Sequence, residues 1–115
     1  MNNNNMEKVK SRNLVVSHSS IGKVWDWNEE KRNNQSKQFE NVVMWEEVLL
    51  NWLKGIYNII GHTPHPIFDL RIKSFYANID TGACFNSEEH KLQGYGVLTA
   101  LQYPEMTIYQ QENID

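Results

Sequence analysis

The apolar residues of this chain fall into short blocks whose period changes along its length, and each block predicts a different element. Leu14, Val15 and Val16 run together without a polar break, which predicts a short buried strand ending at Ser17 and His18. From Trp25 to Gln38 the chain is polar apart from Trp25 and Trp27, so this stretch is expected to run over the surface as a loop. Its two tryptophans are expected as lids folded over the core, with ligand stacking as the other reading. Val42, Trp45, Leu49, Trp52 and Leu53 then recur at spacings of three, four, three and one, the apolar face of one main helix over residues 39–54. Lys54 suits the negative end of that helix and Gly55 the position just past its last turn. Ile56 to Ile60 predict a second buried strand, stopped by Gly61, Pro64 and Pro66. Residues Lys73 to Ile79 mix β-branched and aromatic types. Gly94 to Tyr103 and Met106 to Gln110 flank Pro104 and Glu105, a tight connection between antiparallel neighbours. Val97, Thr99 and Leu101 would share one face of their strand. Strand, helix, strand and then consecutive strands is an α/β pattern with mixed or antiparallel strands, and no internal repeat interrupts it.

Composition narrows the class. At 115 residues the prior is one domain, able to bury roughly two thirds of its unfolded surface. The opening MNNNNMEKVKSR has the makeup of an unanchored tail, so the domain is placed at residues 13–111, between tails at 1–12 and 112–115. A net charge of −3 and a pI near 5.8 leave no basic stripe for a nucleic-acid backbone. No run of eighteen apolar residues suggests a membrane span, and nothing reads as a signal peptide. Cys84 is the single cysteine and can form no internal disulfide, which fits a reducing cytoplasm; it is expected as a buried, inert thiol in a strand.

Candidate chemistry sits at two strand ends. His18 follows NLVVS and His62 follows NIIG, and ligand sites of open α/β sheets gather outside the carboxyl ends of the strands. Two imidazoles delivered there can converge on one ion; each alone reads equally as a hydrogen-bonded turn residue. His65 lies three positions after His62, but Pro64 and Pro66 prevent the helical turn that would align the two, so a separate zinc site is not expected. His90, in NSEEHKLQG, is expected in a solvated loop, and Glu46 and Glu47 on a solvated helix face.

The stretches LVVSHSSIG, MWEEVL, NIIGHTPHP, NIDTG and YGVLTALQYP resemble, in order and rough spacing, the C-terminal half of a calcineurin-like metallophosphoesterase. That superfamily includes serine/threonine protein phosphatases and bacterial dinucleoside tetraphosphatases. The resemblance runs from Asn13 to about Gln110, and GHTP followed by NIDTG is its specific part. It implies half of a β-sandwich and a hydrolase that cleaves phosphate esters of a phosphorylated substrate. It also implies two divalent cations, manganese or similar, that polarise the phosphoryl oxygens and acidify a bridging water. His18 and His62 match the family's metal ligands, and Gly61 and Pro64 would restrict the backbone that aims His62. Asp80, in NIDTG, would be structural or would support the ligands; a turn made by its own carboxylate before Gly82 is the equal alternative.

The chain also departs from that family. The Asp-x-His pair, the Gly-Asp-x-x-Asp motif and the Gly-Asn-His-Glu motif, which supply the other ligands and the general acid, do not occur in it. Where relatives have tryptophan, any residue, then a phosphate-binding arginine, this chain has Trp45, Glu46 and Glu47, a carboxylate that would repel phosphate. Two neutral imidazoles offer neither the charge nor the ligand count that two hard cations require. The expectation is therefore a phosphoesterase fragment, inactive alone, whose partner is an N-terminal half-domain or a second copy of itself. A catalytically dead interaction module and a small metal-binding domain are the alternatives.

Overall fold

The computed structural model describes residues 12–46, 55–73 and 75–114, and among them the chain is a mixed α/β fold with few helices. The elements are β1 (Asn13–Val16), α1 (Glu29–Asn34), α2 (Ser36–Trp45), β2 (Ile56–Ile60), β3 (Arg71–Ile72), β4 (Tyr76–Asn78), α3 (Glu88–Leu92), β5 (Val97–Gln102) and β6 (Thr107–Glu112). A mixed four-stranded sheet has the order β1-β2-β4-β3, with β1, β2 and β4 parallel and β3 antiparallel at the far edge. Strands β5 and β6 form a separate antiparallel pair in which Val97 faces Glu112 and Gln102 faces Thr107.

Central placement explains why β2 is buried along its whole length: it is paired on both edges and covered on both faces. On one face Tyr57 and Ile59 join Ala77 of β4 in the core, and Ile72, Ile79, Leu101, Tyr103 and Met106 pack against them. Strand β5 and the turn after it therefore close over the parallel sheet, and Val97, Thr99 and Leu101 do turn inward together, while β6 stays exposed along its length. On the other face Asn58 is a buried amide in an otherwise apolar strand. It donates to the Val15 carbonyl at 3.1 Å and to Ser17 Oγ at 3.0 Å, and accepts from the Ile21 amide at 3.4 Å.

Several expectations change. Strand β1 forms where the apolar run predicts it but is an exposed edge, with Val16 69% accessible, because among the described residues only β2 pairs with it. The stretch expected as loop holds α1 and the start of α2. Helix α1 buries nothing and owes its existence to end effects: Asn28 caps it, Glu29 and Glu30 sit in its first turn, Lys31 and Arg32 in its last. Helix α2 stops at Trp45, and Glu46 is extended, so a single helix over residues 39–54 does not form. The fully buried Ser19 takes over the capping: its hydroxyl reaches the Val42 and Val43 carbonyls at 2.7 Å, and its amide donates to Val43 at 3.0 Å. Leu49, Trp52, Leu53 and Lys54 lie outside the described residues, as does the tail before Arg12. Arg12 itself is held, donating to the Ile56 carbonyl and accepting from the Tyr103 hydroxyl. Among the described residues no helix is long and apolar enough to cross a membrane.

Candidate functional site

The three parallel strands end side by side, and each hands a polar residue to the same rim: His18 after β1, His62 after β2 and Asp80 after β4. The loop leaving β1 is fixed by Asn58 and by Ser17 Oγ, which donates to the Ser19 carbonyl at 2.7 Å. The His18 carbonyl in turn accepts from the Gly61 amide at 3.0 Å, tying the two histidine-bearing turns together. The side chains meet. His18 Nε2 stands 3.3 Å from His62 Nδ1, with ring centroids 5.0 Å apart.

Trp45, at the end of α2, presents a third ring edge-on to both imidazoles, with centroids 5.5 Å from His62 and 6.3 Å from His18. Its helical period had placed it only on an apolar face, and nothing in that period signals the contact. His62 has a positive φ of +70°, a left-handed conformation that a residue with a Cβ adopts at a cost. The strain thus sits on the histidine rather than on Gly61, where a Cβ would meet Asp80 Cβ at an ordinary 3.6 Å. Such outliers concentrate at binding sites.

Asp80 does not join the pair as a ligand. Its Oδ1 accepts from the Gly82 amide at 3.0 Å, and its own amide donates to Asn78 Oδ1 at 2.9 Å, so the carboxylate closes a turn. It still faces a cavity of ≈ 290 Å³ whose lining includes His18, Gly61, His62, Asp80 and Thr81. Among the described residues no group of three or more His, Cys, Asp or Glu is placed to hold a metal ion.

The remaining candidates separate from this rim. His65 lines a neighbouring cavity of ≈ 260 Å³ with Glu46, Thr63, Arg71 and Asn78; burial, then the Arg71 guanidinium, holds its imidazole below the usual histidine range. Glu46 is an ion-pair partner, 2.7 Å from Lys23, rather than a solvated face residue, and Glu47 lies outside the described residues. His90 sits in α3, not in an open loop: Ser87 caps that helix and touches His90 Nδ1 at 2.8 Å, and the ring stacks on Phe85. Cys84 is exposed in a turn rather than buried in a strand, because Gly82 at φ +68° turns the chain and its carbonyl accepts from the Phe85 amide. Asn58, which sequence reasoning passed over, was signalled by a lone amide in the apolar run IYNII. Compared with family models, with curated proteins and with solved structures, the chain matches none.

Proposed function

We propose that this chain supplies the C-terminal ligand half of a metal-dependent phosphoesterase of the calcineurin-like type. The observation that carries the reading is the 3.3 Å approach of His18 Nε2 to His62 Nδ1 at the carboxyl ends of two paired parallel strands. Two nitrogens bound to one tetrahedral ion at about 2.05 Å stand about 3.3–3.4 Å apart, so the separation of the pair, which is that of a hydrogen bond between the two rings, is also that of two ligands on a single cation. The left-handed φ of His62 and the Trp45 ring set edge-on to both imidazoles support that arrangement.

The residues present do not complete a dinuclear centre. Two neutral donors cannot hold two hard cations such as manganese, and no third donor joins them among the described residues. No hydrolytic step is therefore assigned to this chain by itself. The carboxylate ligands and the acid for the leaving group come from a separate segment of the kind the family's N-terminal half carries. The uncovered β1 edge favours a second reading, an inert interaction module with the same packing.

The test mixes the chain with a polypeptide bearing the Asp-x-His, Gly-Asp-x-x-Asp and Gly-Asn-His-Glu motifs, adds manganese, and follows hydrolysis of para-nitrophenyl phosphate. The chain alone should match buffer. The mixture should form a complex, bind metal and hydrolyse the ester, and His18→Ala or His62→Ala should abolish both properties while His90→Ala leaves them intact. A complex that binds two ions equally well without either histidine refutes the proposal. A complex that never hydrolyses establishes the second reading.

A further inference from the structure

A third cavity lies away from the histidine rim and shares no lining residue with it. It measures ≈ 350 Å³ and is lined by Ile21, Val24, Trp25, Trp27, Arg32 and Phe39. Ile21 and Val24 are buried, while Trp27 and Phe39 are tilted rings 6.5 Å apart. Trp25 is 45% exposed, so it is no lid sealed over a core. The size falls within the range of small-molecule sites. A cavity of about 150 Å³ takes benzene, so this one has room for a fused bicyclic ring and one substituent.

Charge selects the substituent. Arg32 lines the cavity, and its guanidinium has no hydrogen bond or ion pair among the described residues. Lys31, whose ammonium lies 4.4 Å over the Trp27 ring, does not line the cavity. Asp26, Glu29 and Glu30 belong to the same stretch of chain but do not line the cavity. A planar aromatic ring can stack against the tryptophans while an oxyanion meets the guanidinium fork. We infer that the cavity between Trp25, Trp27, Phe39 and Arg32 is a binding site for a planar aromatic monoanion, a carboxylate or sulfonate on a bicyclic ring.

The experiment titrates the full chain with 2-naphthoate, and separately with the neutral 2-naphthalenemethanol, by equilibrium dialysis. Naphthoate should bind saturably at one site per chain. Arg32→Gln, a substitution of an exposed residue, should weaken naphthoate about tenfold, the low end for a charge-assisted hydrogen bond at a solvated group, and leave the neutral alcohol unchanged. Trp27→Ala should remove binding of both; if circular dichroism shows that this variant fails to fold, the Arg32→Gln comparison decides alone. His62→Ala should leave naphthoate binding unchanged, which separates this site from the metal reading. Equal binding of alcohol and naphthoate, several sites per chain, full retention in Arg32→Gln, or no saturable binding would each overturn the inference.

Discussion

At His62 the backbone itself records a cost. A side chain with a Cβ at φ +70° gives up about 1–2 kcal/mol relative to a right-handed conformation, and glycine does not. His62→Gly should therefore be at least as stable as His62→Ala, by up to about 1 kcal/mol after glycine's larger unfolded-state entropy, although both lose the imidazole. Urea denaturation of the two variants side by side measures the difference. Sequence reasoning assigned Gly61 and Pro64 the part of restricting the backbone that aims His62; the left-handed residue is His62 itself. Tyr57 shows a second effect of this scale. Burial first, then the Tyr103 and Tyr76 hydroxyls, push its phenol well above the usual value of 10.0, while its hydroxyl donates to the Lys73 and Tyr76 carbonyls. The folded chain keeps a proton that the unfolded chain releases above about pH 10, so this contribution is complete below that pH and is lost as pH rises beyond it. Tyr57→Phe should cost about 1 kcal/mol at pH 8 yet show a shallower alkaline decline, read from denaturation midpoints at pH 8 and pH 10.5.

The elements differ in how openly the sequence declares them. Strands β2 and β5 were legible because a largely apolar run and a clear alternation are what a doubly covered strand and a half-buried one require, whereas β6, exposed at every position, was marked only by the connection at Pro104 and Glu105. Helix α1 was hidden from that kind of reading, since it buries no residue and is specified by Asn28, Glu29, Glu30, Lys31 and Arg32 acting on its ends. The end of α2 was hidden for another reason: the group that caps it, Ser19, is distant in sequence and reaches it only in the folded chain. Strand β1 was found but its exposure was not, because an apolar run does not say how many neighbours will pair with it. Its other side, unpaired among the described residues and with Leu14 44% and Val16 69% exposed, invites pairing with another chain. Self-association through this edge is the expected behaviour of the isolated chain, and Val16→Lys should shift it toward monomer. Sedimentation velocity over a concentration series tests this; a compact monomer before the substitution would remove the argument.

For the molecule as a whole, the α/β class and the mixed sheet could be read in advance, and so could the meeting of His18 with His62, because parallel neighbours must deliver their following residues to one rim. What could not be read is how few groups gather there. Asp80 arrives at the same rim but is engaged by the Gly82 amide, a choice made by two residues of local turn geometry. The buried Asn58 amide has a consequence for the order in which the rim comes together. Its three hydrogen bonds reach the β1 backbone, Ser17 and Ile21 at once, so they can form only after β1 has docked on β2. The turn carrying His18 is then expected to open before the centre of the sheet does. Native-state amide exchange should show Ser17, Ile21 and Gly61 opening together, ahead of Ala77, and Asn58→Ala should speed all three by a common factor while Ala77 changes far less. Whatever binds at the histidine pair would then slow the exchange of these same amides, giving occupancy of the rim a kinetic signature that needs no turnover to observe.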